Sequence, residues 1–241
     1  MQHILALVRR CVDDYNMIDS GDTIAVGVSG GKDSILLLAA LAHLRRFYPK
    51  PFDLVAITID SGVPGMDFTP VKALCEKLDV PYHIVLVPTY EIVFLNRKEK
   101  NPCSLCAKMR RGALSTKLGE LGIKKIALGH HFDDAVETLL MNLFQEGRIG
   151  CFQPITYLDR TDVTQLRPLL YVEERDVRNT VNRLGLPVVE NPCPANGSTH
   201  REEVKVLLQE LEGRYPNLRR KIFGAIQRYP LYGWSMEEKQ V

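Results

Sequence analysis

The sequence predicts an α/β fold: a mostly parallel sheet of about five strands, helices on both of its faces, and a small helical C-terminal appendage. Three observations carry that expectation. Apolar, β-branched runs alternate with amphipathic helical stretches through the first 170 residues, and such alternation implies right-handed crossovers in a parallel sheet. The first run, Thr23-Ile24-Ala25-Val26-Gly27-Val28, empties into Ser29-Gly30-Gly31 and a new helix. Beyond residue 170 the pattern is helical only, with breaks at Gly185, Pro187, Gly213 and Pro216.

Taken in order, residues 1–20 open with an amphipathic helix running to about Met17. Strands follow at 23–28, Leu54–Ile59, Tyr82–Val87 and Lys125–Leu128, with a weaker one at Val163–Leu166. The intervening helices span about 34–47, 69–79, 105–121 and 133–146. The last is the clearest, because Val136, Leu139, Leu140, Leu143 and Phe144 form one continuous apolar stripe. Glu173–Leu184, His200–Glu212 and Leu218–Arg228 complete the helices. The expected division is a helix at 1–20, a catalytic domain at 21–170 and a helical region at 171–241.

At 241 residues, 45% hydrophobic and 25% charged, the chain can bury a full core. No apolar run reaches the length of about 20 residues that a membrane span needs. The N-terminal apolar run precedes its arginines, the wrong order for a secretory signal, so a cytoplasmic location and no membrane partner are expected. The net charge of +2 announces no nucleic acid, but basic residues cluster at Arg45-Arg46, Arg97-Lys98, Lys108 with Arg110-Arg111, and Arg219-Arg220-Lys221. Six cysteines in such a chain argue against a disulfide framework and for a search among metal ligands.

Ser29-Gly30-Gly31-Lys32-Asp33-Ser34 reads as a phosphate cradle. The glycines admit close backbone approach, and the helix start offers unpaired N–H groups and a positive dipole end. Lys32 adds a point charge and the serines add hydroxyl donors. It is not a Walker A loop, since Asp33 follows the lysine and Val26 stands where the earlier glycine belongs. Nor does it fit the dinucleotide spacing. Asp60, closing the second strand, faces the same sheet edge and suits magnesium or a ribose hydroxyl, or else a turn cap. Gly129-His130-His131-Phe132-Asp133-Asp134 opens the clearest helix. Its carboxylates suit the dipole, and beside a magnesium–triphosphate one could hold metal while the other orients or deprotonates substrate.

Cys103-Ser104-Leu105-Cys106 begins a helix after Pro102. A lone pair at this spacing is open between zinc, an iron–sulfur cluster and a redox couple. With no second pair, a closed four-cysteine zinc site is disfavoured. Cys11 and Cys75 read as core residues, and Cys151 is uninformative. Cys193 lies on a rigid polar loop suited to aiming a ligand.

The loop resembles, residue for residue, the PP-loop signature Ser-Gly-Gly-x-Asp-Ser of ATP pyrophosphatases. Together with Asp14-Tyr15-Asn16-Met17-Ile18, Met109-Arg110-Arg111-Gly112, Glu137-Thr138-Leu139 and Arg167-Pro168-Leu169, it makes residues 10–228 similar to the tRNA 2-thiocytidine synthetase family. The resemblance implies a Rossmann-like sheet of the adenine nucleotide alpha hydrolase type. It implies ATP and Mg2+ as cofactors, with Ser29, Gly30, Gly31, Lys32, Asp33, Ser34, Asp60, Gly129 and His130 binding ATP and Lys32, Asp133 and Asp134 catalytic. It further implies a 4Fe–4S cluster on Cys103, Cys106 and Cys193, and tRNA held by Lys108, Arg110 and Arg111. The partners implied are tRNA, a sulfur donor such as a cysteine desulfurase, and a second copy in a homodimer. The chain departs from the family pattern at Pro194-Ala195-Asn196-Gly197-Ser198-Thr199, which follows the distant cysteine in place of a Gly-Ser-Gln-like stretch. The alternative is an amide- or amidine-forming PP-loop tRNA ligase similar to lysidine synthetases, or a thiolase acting on another nucleobase.

Overall fold

The computed structural model describes residues 1–96, 102–193 and 200–228. The basic pair Arg97-Lys98 and the stretch 194–199 lie outside the described residues. Helix α1 (Gln2–Asp14) precedes strand β1 (Asp22–Gly27) and helix α2 (Lys32–Leu44). Then come β2 (Phe52–Asp60), α3 (Thr69–Lys77), β3 (Tyr82–Leu86), α4 (Pro102–Glu120), β4 (Lys125–Ala127) and α5 (Phe132–Glu146). The chain continues with β5 (Ile155–Leu158), β6 (Val163–Leu166), α6 (Glu174–Leu184), α7 (His200–Arg214) and α8 (Leu218–Arg228).

The six strands form one sheet in the order β3-β2-β1-β4-β6-β5. All neighbours are parallel except β5, which runs antiparallel to β6 with Ile155 opposite Leu166. The sequence predicted about five strands and missed β5. Its turn carries no glycine or proline: Asp162 supplies the left-handed residue at φ 50°, and the Thr161 N–H closes onto the Leu158 carbonyl at 3.2 Å. A short π-helical turn, Glu91–Asn96, was likewise not predicted.

Side-chain alternation along β1 divides the core. Ile24 and Val26 face a large cluster that includes α1, α2, α3 and α5, whereas Ala25 faces a smaller one built on Leu118 of α4. The C-terminal helices share the larger cluster through Val204, Leu208, Phe223 and Ile226. Chain order reverses direction between β1 and β4, and loops at the carboxyl ends of strands flanking such a point are where ligands bind in open α/β sheets. The loops after β1 and β4 are the two richest motifs of the sequence.

Candidate active site

The loop after β1 is held partly by bonds among its own residues. The Ser29 N–H donates to Ser34 Oγ at 3.1 Å, and Ser34 Oγ donates to the Gly31 carbonyl at 2.9 Å. The two hydroxyls lie 3.1 Å apart. Gly30 sits at φ 87°, and a β-carbon there would stand 2.8 Å from Val189 Cβ. Val189 also donates its N–H to the Gly30 carbonyl at 2.9 Å. Gly31 takes the cap position of α2 with no side-chain cap, leaving the helix start open to an anion.

The loop after β4 closes on this cradle. A β-carbon on Gly129 would lie 3.0 Å from the Ser34 nitrogen and 3.1 Å from the Asp33 carbonyl carbon. Only glycine lets the two loops touch. His131 is the cap of α5: its Nδ1 accepts the Asp134 N–H at 3.4 Å while its own N–H donates to Asp134 Oδ2 at 2.9 Å. Its other ring nitrogen lies 3.6 Å from Asp33 Oδ1 and 3.5 Å from Asp134 Oδ2. His131 thus joins the two motifs, a role absent from the sequence expectation.

Between the loops opens a cavity of about 380 Å³. Ser29, Asp33, Ser34, Gly129, His130 and Asp134 form its polar wall, and Ile57, Ile59, Leu114 and Leu128 its apolar wall. Arg110 of α4 reaches the same cavity with its Nε buried and unpartnered. Cys103, Cys106, Arg110 and Leu114 are spaced i, i+3, i+7 and i+11, so they lie along one stripe of α4. At about 1.5 Å rise per residue, Cys106 is some 6 Å along the axis from Arg110. Lys108 and Arg111 are exposed, and Arg111 Nε folds back onto the Ala107 carbonyl. Of the three expected tRNA-binding residues, Arg110 therefore stands apart in the cavity.

His130 is packed against Phe152 at 5.0 Å between ring centroids. Burial, aided by Arg167, pushes its pKa down to about 4, so the ring is neutral near pH 7. Arg167 is buried, hydrogen-bonded to Thr156 Oγ1 at 2.9 Å and Gln165 Oε1 at 3.1 Å.

Two expected site residues have structural partners. Asp60 accepts the Gly62 N–H at 2.9 Å, a turn closure, and Ile57 and Ile59 line the cavity on its strand. Asp133 is buried, accepting the Glu174 N–H at 2.7 Å and an Arg219 Nη1 bond at 3.1 Å. Asp134 instead lines the cavity and pairs with Arg201. Lys32 Nζ lies 3.0 Å from both Asp33 oxygens and 3.1 Å from Glu174 Oε1. Arg201, Lys205, Arg219, Glu174 and Glu137 were all missed. Arg219 carried a signal, as one of a basic run, but it points inward at 12% side-chain exposure while Arg220 beside it is outward at 61%.

Burial pushes up the thiols of Cys11, Cys75 (to about 11) and Cys151 (to about 12), which leaves them poor ligands. Cys103 is exposed, and Cys106 and Cys193 are half-buried. Among the described residues no three Cys, His, Asp or Glu side chains already stand together as a metal site. Helix α4, which bears Cys103 and Cys106, reaches the cavity through Arg110 and Leu114. Cys193 follows Val189, bonded to Gly30, by four residues, at most about 14 Å of extended chain.

The PP-loop domain family matches residues 4–211. The tRNA-cytidine(32) 2-sulfurtransferase of Pelobacter propionicus is 42% identical over 222 residues, covering 91% of this chain and 82% of its own length. This chain belongs to the PP-loop family of tRNA-cytidine(32) 2-sulfurtransferases. A second member, from Geobacter metallireducens, is also 42% identical, over 91% of this chain and 86% of its own. Among solved structures, the U34-tRNA thiolase NcsA from Methanococcus maripaludis, determined with its [4Fe-4S] cluster, superposes with a TM-score of 0.74. It is 26% identical, over 93% of this chain and 77% of NcsA. No helix among the described residues is long and apolar enough to cross a membrane.

Proposed function

We propose that the protein is an ATP-dependent tRNA sulfurtransferase that replaces the C2 oxygen of cytidine 32 with sulfur. The observation that carries this reading is the shared cavity, in which the loop after β1, the loop after β4 and the cysteine-bearing helix α4 meet. ATP would rest its base on Ile57, Ile59 and Leu128 and its phosphates on Ser29–Ser34. The cytidine O2 attacks the α-phosphorus and pyrophosphate leaves. A sulfide-level sulfur then attacks C2, and AMP departs with the original oxygen. Oxide leaves poorly and AMP well, which is the reason for spending ATP.

Lys32 and the open start of α2 stabilise charge on the departing pyrophosphate. Asp33 and Asp134, both near one His131 nitrogen, are a donor set suited to magnesium, which binds through one or two carboxylates plus substrate phosphates. Arg110, its Nε unpartnered, faces the adenylated intermediate. Lys108 and Arg111 hold the tRNA backbone. Cys103, Cys106 and Cys193 would hold the 4Fe–4S cluster, which supplies the sulfur in nucleophilic form. Three accessible thiols fit such a group, which needs soft donors and leaves one iron free. The proposal includes a cytoplasmic location, a sulfur donor of the cysteine desulfurase class and a homodimer.

The test is mass spectrometry of tRNA nucleosides from cells with and without the gene. Loss of 2-thiocytidine is expected, and an unchanged thionucleoside profile would overturn the assignment. Cys103→Ser, Cys106→Ser and Cys193→Ser should each lower anaerobically bound iron, read by visible absorbance. Full iron in Cys193→Ser would remove it from the ligand set.

A further inference from the structure

Lys32 has a partner that neither the loop motif nor the family names identify. Glu174, the first residue of α6, directs Oε1 at Lys32 Nζ over 3.1 Å. Its Oε2 takes Lys205 Nζ of α7 at 2.7 Å, and Arg178 Nη2 reaches Oε1 at 3.3 Å. Its backbone N–H is fixed on Asp133 Oδ2 at 2.7 Å, and Asp133 is anchored on Arg219 of α8. The Glu174 side chain is 14% exposed and that of Lys32 27%. Although burial opposes it, Lys205 and Lys32 hold the Glu174 carboxyl ionised, with its pKa down to about 2.

A lysine head is a point charge on a flexible four-carbon stem and does not hold its own position. Here the stem is half-buried and the head is fixed between two carboxylates. Nζ stands 3.0 Å from each Asp33 oxygen and 3.1 Å from Glu174 Oε1. Resting on the proposed ATP chemistry, we infer that Glu174 is a positioning residue that holds the Lys32 ammonium over the phosphate loop. When a triphosphate arrives, Lys32 keeps its Glu174 bond and exchanges its Asp33 contacts for phosphate oxygens. Glu174 is a guide and not a trap, because Lys205 and Arg178 already share its charge, and its backbone is pinned. The device places the registration of the phosphate lysine in the C-terminal helices, 142 residues further along the chain.

The test is a double-mutant cycle on the full chain, read as the affinity for a non-hydrolysable ATP analogue by calorimetry, with melting temperature as the control for folding. Glu174→Gln should weaken binding by about fivefold, roughly one charge-assisted contact. In a Lys32→Ala background the same substitution should change affinity by less than about 1.5-fold, since coupled residues are non-additive. Equal losses in both backgrounds, no loss in either, or tighter binding by Glu174→Gln would overturn the inference. Absence of analogue binding by the unaltered protein would instead overturn the ATP reading on which it rests.

Discussion

Two walls of one cavity are built in opposite ways. The phosphate loop closes largely on itself, the Ser29–Ser34 and Ser34–Gly31 bonds spanning five and three residues, with the Val189 N–H on the Gly30 carbonyl added from afar. The acidic wall at the start of α5 is satisfied from afar. Asp133 and Asp134 draw on Glu174, Arg201 and Arg219, from 41 to 86 residues away. Glu137, one turn further on, is 3% exposed with Arg201 and Arg219 at 3.7 and 3.9 Å. The self-closing loop leaves the start of α2 without a side-chain cap. The remotely clasped acid cluster is tied into the architecture throughout, Asp134 included, which faces the cavity while paired with Arg201.

The largest effect that would break this contrast is at Lys32. Lys32→Ala should abolish tRNA-dependent pyrophosphate release while bound iron stays unchanged; joint loss of both would mean that the two walls are not separable. Gly129→Ala forces a β-carbon against the backbone of Asp33 and Ser34, where no flexible side chain can yield. ATP-analogue affinity should fall by about tenfold or more, the equivalent of about 1.4 kcal/mol, and calorimetry checks it.

Asp133→Ala tests the architectural wall. It removes one carboxylate from Arg219, which keeps Glu212 at 3.1 Å and Glu137 at 3.9 Å, and takes the acceptor from the Glu174 N–H; losing a buried charge-assisted bond costs about 1–3 kcal/mol. The melting temperature should fall by several degrees. Equal stability with lost turnover would return Asp133 to the catalytic role expected from the sequence. The basic residues of α4 sharpen the contrast further. Arg111→Glu should reduce the salt slope of tRNA binding by about one contact, with ATP-analogue affinity unchanged, whereas Arg110→Glu should weaken the analogue as well. Filter binding across salt concentrations separates them.

The smallest effect is a titration. His130, with its pKa near 4, should stay neutral in nitrogen-15 imidazole spectra down to about pH 4. The sign follows from its depressed value: its stability contribution is full above the ordinary histidine pKa of about 6.5 and is lost as pH falls through about 4. A resonance titrating near 6.5 would show that the ring is solvated.

Much of this was legible in the chain. The alternation of strands and helices, the phosphate loop, the burial of Cys11 and Cys75, and the helix after Gly129-His130-His131 all rest on local periodicity and turn chemistry. The antiparallel β5 was not legible, because its turn uses Asp162 in place of a glycine. Asp133 and Asp134 looked alike, adjacent and acidic. One helical step between them sends one into a buried ion pair and the other into the cavity.

The sequence by itself determined the glycine-rich loop after β1, the start of α4 at the Cys103–Cys106 pair and the alternation of strands and helices, since each depends on residues near one another in the chain. Tertiary structure decided which aspartate faces the cavity, that Arg110 reaches it while Arg111 does not, and that Glu174 pairs with Lys32. The physical reason is charge burial: an ion removed from water must find its counterion wherever the fold supplies one, and here the fold supplies it from helices far along the chain.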